Sequence, residues 1–250
     1  VQIAAPGNAE EHLLSTIGPE LTELFFARYT EKMWGMPLSR LDASIVKRLP
    51  LRFSNINEYF PDDRFQLLPE HGYTRLFENI LDHDRINVQT GVDYEPAASN
   101  GYRHTFNSMP IGEFFGFRFE PLPYRSIKFH HRLGADDHPD IPVINFTDKK
   151  PFTRRTLWAA LPGHAEANAA KWLTTTEEPC DYRDNDFERY YPVKTVDDAI
   201  ANRLAAYQEQ AAQLDNMSFI GRCGTYQYLD MHQVINQSLA GAEKWARSLL

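Results

Sequence analysis

The sequence predicts a mixed fold in which helices alternate with short strands, and three observations carry that reading. Stretches with apolar residues at helical spacing are interleaved with brief β-branched or aromatic runs. Hydrophobic residues make up 42% and charged residues 24% of 250, the composition of a globular chain large enough for a sizeable core. Neither an internal repeat nor a low-complexity tract divides the chain, and no clean linker does.

The elements follow in order. Residues 10–17 and 19–33 are predicted helical, with Leu21, Leu24, Phe25 and Tyr29 on one face. Pro37 closes that run, and a short helix is expected over 41–47 before Pro50. Residues 51–59 alternate weakly and are predicted as a strand with Asn-rich turns. His71-Gly72 opens an amphipathic helix carrying Tyr73, Leu76, Phe77, Ile80 and Leu81. Strands are expected at 86–92, at 114–129 and at 143–147, where β-branched and aromatic residues gather. Residues 132–142 and 179–186 are polar, turn-rich connections. Thr195 is the expected N-cap of a helix with Asp197 and Asp198 in its first turn and Val196, Ile200, Leu204 and Tyr207 as its buried stripe. A short strand at 219–221 precedes a last helix over 231–249.

Composition excludes several functions. With 34 acidic against 26 basic residues, the formal charge of −8 argues against a nucleic acid or an anionic membrane as the main partner. No run approaches the ~18 apolar residues of a membrane span. The first residues lack a signal-peptide pattern and an initiator Met, so the expectation is a cytoplasmic chain that begins inside a longer protein. Cys180 and Cys223 are too few for a disulfide framework or a four-ligand zinc site. The nine histidines show no metal-ligand spacing, and the adjacent His130 and His131 point apart if they lie on a strand. Among 13 glycines, the pairs Gly112/Gly116 and Gly221/Gly224 complete neither phosphate-binding fingerprint.

Four clusters hold candidate chemistry. Tyr29 and Trp34 straddle a helix end and could offer flat faces to a base or sugar, although spacing alone favours two core rings. Arg48 and Arg52, with Tyr59 and Phe60 beyond them, supply guanidinium groups of the kind that bind phosphate; solvation is the blander explanation of each. Asn145 through Asp148 and Thr153-Arg154-Arg155 place polar and cationic groups at a strand end. Residues 220–231 join a strand end, Gly221-Arg222, Tyr228 and a helix N-terminus near Asp230 and Met231, which suits an anion or a flavin and equally a capped turn.

In this order the clusters resemble the UDP-galactopyranose mutase family over nearly the whole chain. The resemblance is carried by Tyr29-Thr30-Glu31-Lys32-x-Trp34-Gly35, Lys47-Arg48-x-Pro50-x-Arg52, Glu58-Tyr59-Phe60, Pro69-x-x-Gly72-Tyr73-Thr74, Phe114-Phe115-x-Phe117-Arg118-Phe119, Tyr124-Arg125-Ser126, the run 143–148, Tyr190-Tyr191-Pro192-Val193, and Gly221-Arg222 through Ile235. It implies an isomerase that interconverts UDP-galactopyranose and UDP-galactofuranose through a flavin N5–sugar adduct, with reduced FAD as cofactor. Cell-surface polysaccharide synthesis is the implied setting. By the same resemblance Tyr29 and Trp34 surround the uridine. Arg48 and Arg154 clamp the diphosphate and serve catalysis. Tyr59, Asn145, Tyr191 and Tyr228 meet phosphate or sugar, while Arg222, Tyr228, Asp230 and Met231 face the flavin.

The implied fold is α+β: a helical segment over 1–50, an antiparallel-sheet substrate domain over 51–69 and 119–192, and over 70–118 and 193–250 the second half of a Rossmann-like FAD domain. The family's glycine-rich opening segment has no counterpart here, so FAD binding by this chain alone is expected to be weak. A homodimer or a separate N-terminal FAD-binding segment is the expected partner. Two departures, at 108–112 and at 155–162 after Arg154, leave the sugar open. The rival readings are a non-catalytic sugar-nucleotide-binding or assembly module and a mutase for another nucleotide sugar.

Overall fold

The structure, a computed structural model, describes residues 3–47, 52, 54–56, 58, 60–95, 101–138, 140–161 and 172–250. It opens with α1 (Ala9–Thr16), whose first turn is capped by the Asn8 side chain accepting from the Glu11 amide. The predicted helix over 19–33 is realised in three pieces: α2 (Gly18–Leu21), a π-helical turn over Thr22–Ala27, and α3 (Arg28–Trp34). Gly35 ends α3 in the left-handed conformation at φ 69°. There the Arg125 guanidinium donates to the Met33 and Lys32 carbonyls, at 2.9 and 3.1 Å. A Cβ at position 35 would lie 2.9 Å from Arg125 Nη1, so glycine meets both a backbone and a packing demand. A single turn, α4 (Ser44–Lys47), follows.

The helices rest on a five-stranded antiparallel sheet built from β2 (Tyr124–Leu133), β3 (Val143–Asn145), β4 (Arg154–Leu157), β5 (Leu173–Asp181) and β6 (Tyr191–Pro192), in the order β3-β4-β5-β2-β6. Its spine is the nine-residue pairing of β2 with β5, from Arg125 opposite Asp181 to Leu133 opposite Leu173. Met33, Trp34, Leu38, Leu41, Ile45 and Val46 from the helical segment pack with Ile127 from the sheet and Val193 just beyond β6 in one core. Burying a residue of this kind is worth about 1.5–3 kcal/mol, so this shared core ties helices and sheet into one body.

A second core joins the start of β2 to the C-terminal part. Ile111, on the short α6 (Ile111–Phe114), packs with Leu122, Tyr124, Tyr182, Tyr207 and Tyr226. Two of its hydroxyls bond backbone, Tyr207 donating to the Glu120 carbonyl at 2.8 Å and Tyr226 to that of Pro123 at 2.6 Å. Tyr207 belongs to α7 (Asp198–Ala211). A two-stranded parallel sheet pairs β1 (Thr105–Asn107) with β7 (Met217–Phe219). From β7 the chain turns through α8 (Gly221–Thr225) to the long α9 (Met231–Arg247). Gly224 is the tight point of that turn, where a Cβ would meet the Asn107 carbonyl at 2.9 Å.

Several expectations change. The described residues of 51–69 form no strand, and 86–92 is coil although it is β-branched: Ile86, Val88 and Val92 are exposed and have no ladder partner. The strand expected at 114–129 begins only at Tyr124, because residues 115–120 turn through Gly116, Phe117 and Glu120 at positive φ and Pro121 and Pro123 follow. The cap of α7 is Asp197, which accepts from the Ala199 amide, while Thr195 supports it by accepting from the Asp197 amide. Strand β5 extends into the expected connection at 179–186. The helix at 72–81 forms as α5 (Gly72–Leu81), and none of its residues is buried.

Candidate functional site

Cross-strand register assembles the site. Asn145 on β3 stands opposite Arg154 on β4, Arg154 opposite Glu177 on β5, and Glu177 opposite Phe129 on β2. Paired residues share a sheet face, so this row lines one side of the sheet, and their sequence neighbours point away. Facing the row are the π-helical turn and α3. Between them lies a cavity of about 670 Å³ lined by Phe25, Phe26, Tyr29, Trp34, Asn145, Thr147, Arg154 and Tyr228 among others. The π turn that carries Phe25 and Phe26 is the kind of helix irregularity often found at functional sites.

Arg154 is the cation of the cavity. Its Nε donates to a carboxylate oxygen of Glu177 at 2.8 Å, its Nη2 lies 2.7 Å from the same oxygen in an ion pair, and Glu177 is almost wholly buried. Burial works against the guanidinium charge, but the hydrogen bond and the charge of Glu177 outweigh it and push the Arg154 pKa up. The group is therefore a permanent, oriented cation in a chain of net negative charge.

An aromatic wall stands beside it. Trp34 meets Tyr228 edge-on at 5.3 Å and Tyr191 at 6.1 Å, and Tyr191 meets Tyr228 at 5.4 Å. The Arg222 guanidinium lies over both tyrosine rings, 5.3 and 5.1 Å from their centroids. It donates to the Leu229 and Tyr190 carbonyls, which holds it in place. Burial raises the Tyr191 pKa to about 12, so its hydroxyl stays protonated at neutral pH. A smaller cavity of about 320 Å³ shares Ile45 and Tyr228 with the first, and Lys47, Lys194, Asp230 and Gln233 line it. Asp230 caps α9 in a reciprocal capping box with Gln233.

Of the sequence candidates, the structure brings Tyr29, Trp34, Asn145, Arg154 and Tyr228 to one cavity and sets Tyr191 and Arg222 behind its wall. Trp34 unites both of its readings: it is a buried core ring and also lines the cavity. Asp230 and Met231 lie outside the main cavity, Asp230 on the smaller one and Met231 half exposed at the start of α9. Arg48 and Tyr59 lie outside the described residues. In the altered stretch after Arg154, the side chains of Arg155 and Leu157 occupy the other sheet face and Thr156 the Arg154 face, while residue 162 lies outside the described residues. On that other face Arg155 is buried in an ion pair with Asp136.

Three contributors were not foreseen. Glu177, 23 positions from Arg154, is revealed only by the strand register. Phe26 sits in a run that reads as ordinary helix. Lys32 donates to the carbonyls of Phe146 and Phe152, at 2.8 and 2.7 Å, and so clamps the 146–152 hairpin that presents Asn145 and Thr147. His130 and His131 do point apart on β2, to Glu178 and to Thr175. Among the described residues, no cluster of three or more His, Cys, Asp or Glu side chains could hold a metal ion.

Comparisons with known proteins place this arrangement. The family model described as UDP-galactopyranose mutase matches residues 24–228. The chain is 34% identical over 248 residues to a probable UDP-galactopyranose mutase of Klebsiella pneumoniae, covering 99% of this chain and 63% of that protein. It is 33% identical over 252 residues to dTDP-fucopyranose mutase of Escherichia coli, covering 97% of this chain and 65% of that one. This chain thus spans somewhat less than two thirds of the length of these relatives. Among solved structures, it is similar to a crystal structure of reduced UDP-galactopyranose mutase with a TM-score of 0.64 at 16% identity, over 91% of this chain and 64% of that chain. That likeness shows the α+β fold. With the family match covering most of its residues, this chain belongs to the UDP-galactopyranose mutase family.

Proposed function

We propose that this chain is the substrate-bearing part of a cytoplasmic mutase that interconverts UDP-galactopyranose and UDP-galactofuranose with bound FAD. The observation that supports it most is the placing of Arg154 and Asn145 side by side on the sheet, across one cavity from Tyr29 and beside Tyr228. Glu177 occupies the Nε and Nη2 edge of Arg154, which leaves Nη1 to meet diphosphate oxygens. Fixed positive charge at that point stabilises UDP as it leaves the anomeric carbon, and Arg48 is proposed as the second clamp. Tyr29 and Trp34 take the uridine, and Tyr59, Tyr191 and Tyr228 meet phosphate and sugar. The neutral Tyr191 hydroxyl serves as a hydrogen-bond donor, not as a charge.

The flavin side is supported in part. The smaller cavity meets the main one at Tyr228 and reaches the N-terminus of α9. Arg222, Tyr228, Asp230 and Met231 would border the ring system there, and the described glycines form no pyrophosphate cradle. When bound, reduced FAD supplies the nucleophile for the sugar carbon. The parallel β1–β7 pair and the exposed apolar side chains of α5 and α9 suit cover by an N-terminal FAD-binding segment, since parallel sheets are ordinarily buried on both faces. A homodimer is the other partner consistent with those faces. No described helix is long and apolar enough to cross a membrane.

A second reading keeps the chemistry and changes the nucleotide sugar, and the near-equal similarity to dTDP-fucopyranose mutase favours it. The test supplies the chain with reduced FAD and an N-terminal FAD-binding segment, offers UDP-galactofuranose or a dTDP-sugar, and follows ring interconversion by chromatography. Turnover of the UDP-sugar is expected. Turnover of the dTDP-sugar alone would select the second reading, and UDP binding without turnover would leave a non-catalytic module.

A further inference from the structure

The sheet carries a second cavity, lined largely from the opposite face, with His131 at its edge. Alternation along the chain after β3 sends Asn145 and Thr147 to the main cavity and Phe146 and Asp148 to this one, of about 440 Å³. Thr176 on β5 and His130 on β2 are paired and border it, while Glu177, next in sequence, faces Arg154 on the other side. Phe152 leans edge-on against His130 at 5.6 Å and closes one side with Phe146.

The charges favour an anion. Asp148 faces the partly buried Lys32 ammonium at 3.6 Å, and Glu178 is taken by His130 at 2.7 Å. Arg132 has a distant contact with Asp136, 3.9 Å away, but that carboxylate is committed to Arg155, and most of the Arg132 side chain is exposed. The Lys150 ammonium has no partner among the described residues. Two cations therefore border a pocket walled by two phenyl rings and by threonine hydroxyls, on a chain whose net charge is −8. The size falls within the range of small-molecule sites.

We propose that this cavity is a second, separate binding site for a small phosphorylated aromatic molecule, with its ring between Phe146 and Phe152 and its phosphate on Arg132 and Lys150. A ring between aromatic faces gains offset or edge contacts, and a phosphate gains charge-assisted hydrogen bonds from guanidinium and ammonium groups.

The test is calorimetric titration of phenyl phosphate into the Arg154→Ala chain, which removes the phosphate ligand of the main cavity, and into the unaltered chain saturated with UDP. Saturable binding is expected in both. The double variant Arg132→Ala/Lys150→Ala, which changes two exposed side chains, should weaken phenyl phosphate roughly tenfold or more and leave UDP binding and the unfolding midpoint unchanged. Inorganic phosphate should bind more weakly than phenyl phosphate. Absence of binding, or binding unaffected by the double variant, would overturn the site; equal affinity for the two probes would overturn the aromatic half of it. Failure of UDP to bind would count against the function proposed above and leave the Arg154→Ala titration to decide this site independently.

Discussion

Helix α3 and helix α5 are both amphipathic, yet only one of them finds a partner. Met33 and Trp34 of α3 disappear into a core shared with Ile127 of the sheet. On α5, Tyr73, Leu76, Phe77 and Ile80 are 40–57% exposed. Met231, Ile235 and Leu239 along α9 are 47–61% exposed. Periodicity specifies a helix and names its apolar face, whereas burial depends on what is brought against that face. The main cavity lies where the faces are matched, and the exposed apolar side chains lie where flavin cover is proposed.

Substitutions can break or sharpen this contrast. The largest effect is expected at the cavity: Arg154→Ala should weaken UDP binding by about a hundredfold, because it removes charge-assisted bonds and leaves Glu177 unpaired. Arg154→Lys should rescue only part, since one ammonium cannot hold Glu177 along one edge and meet the diphosphate from another; calorimetry reads both. Next, Trp34→Ala should cost about 3–5 kcal/mol in denaturant unfolding, the range for a truncated buried aromatic. Leu76→Ser on α5 should stay within about 0.5 kcal/mol, as substitutions at exposed positions do. Equal losses at the two positions would mean that the α5 face is buried after all.

Smaller effects follow at the edges of the body. Gly35→Ala should cost about 1–2 kcal/mol, because alanine at φ 69° is strained and its Cβ crowds Arg125. Tyr191 gives a pH signature. Its pKa is raised from 10.0 to about 12 by burial, so the unfolded chain loses this proton first as pH rises. The associated stability is full below pH 10 and is lost between 10 and about 12. Tyr191→Phe should flatten unfolding free energy against pH in that window; an unchanged slope would place the hydroxyl in water.

Much of this was legible in the residues, for reasons that differ by element. The helices at 10–17, 72–81 and 231–249 were read with ends displaced by at most two residues, because spacing and caps are local signals. Strands fared worse. Ile86, Val88 and Val92 have strand propensity and no ladder partner, while β5 carries three threonines after Leu173, strand formers that were not read as a strand. The site divides in the same way. Tyr29, Trp34 and Arg154 stand in recognisable runs, but Glu177 belongs to the site only because β4 and β5 pair in one register. A shift of one residue would turn Thr176 toward Arg154 and send the carboxylate to the opposite face.

The central claim is that Arg154, held by Glu177, binds the diphosphate of a nucleotide sugar. It is tested most directly by measuring UDP affinity in the unaltered chain and in Glu177→Gln. The amide keeps one acceptor for the guanidinium but removes the charge that orients and sustains it. A drop in UDP affinity of about three- to tenfold, with the unfolding midpoint little changed, is the predicted result. Tighter UDP binding in Glu177→Gln would show that Glu177 competes with the diphosphate, and equal affinity would show that Glu177 does not hold Arg154 for it; either result would contradict the account.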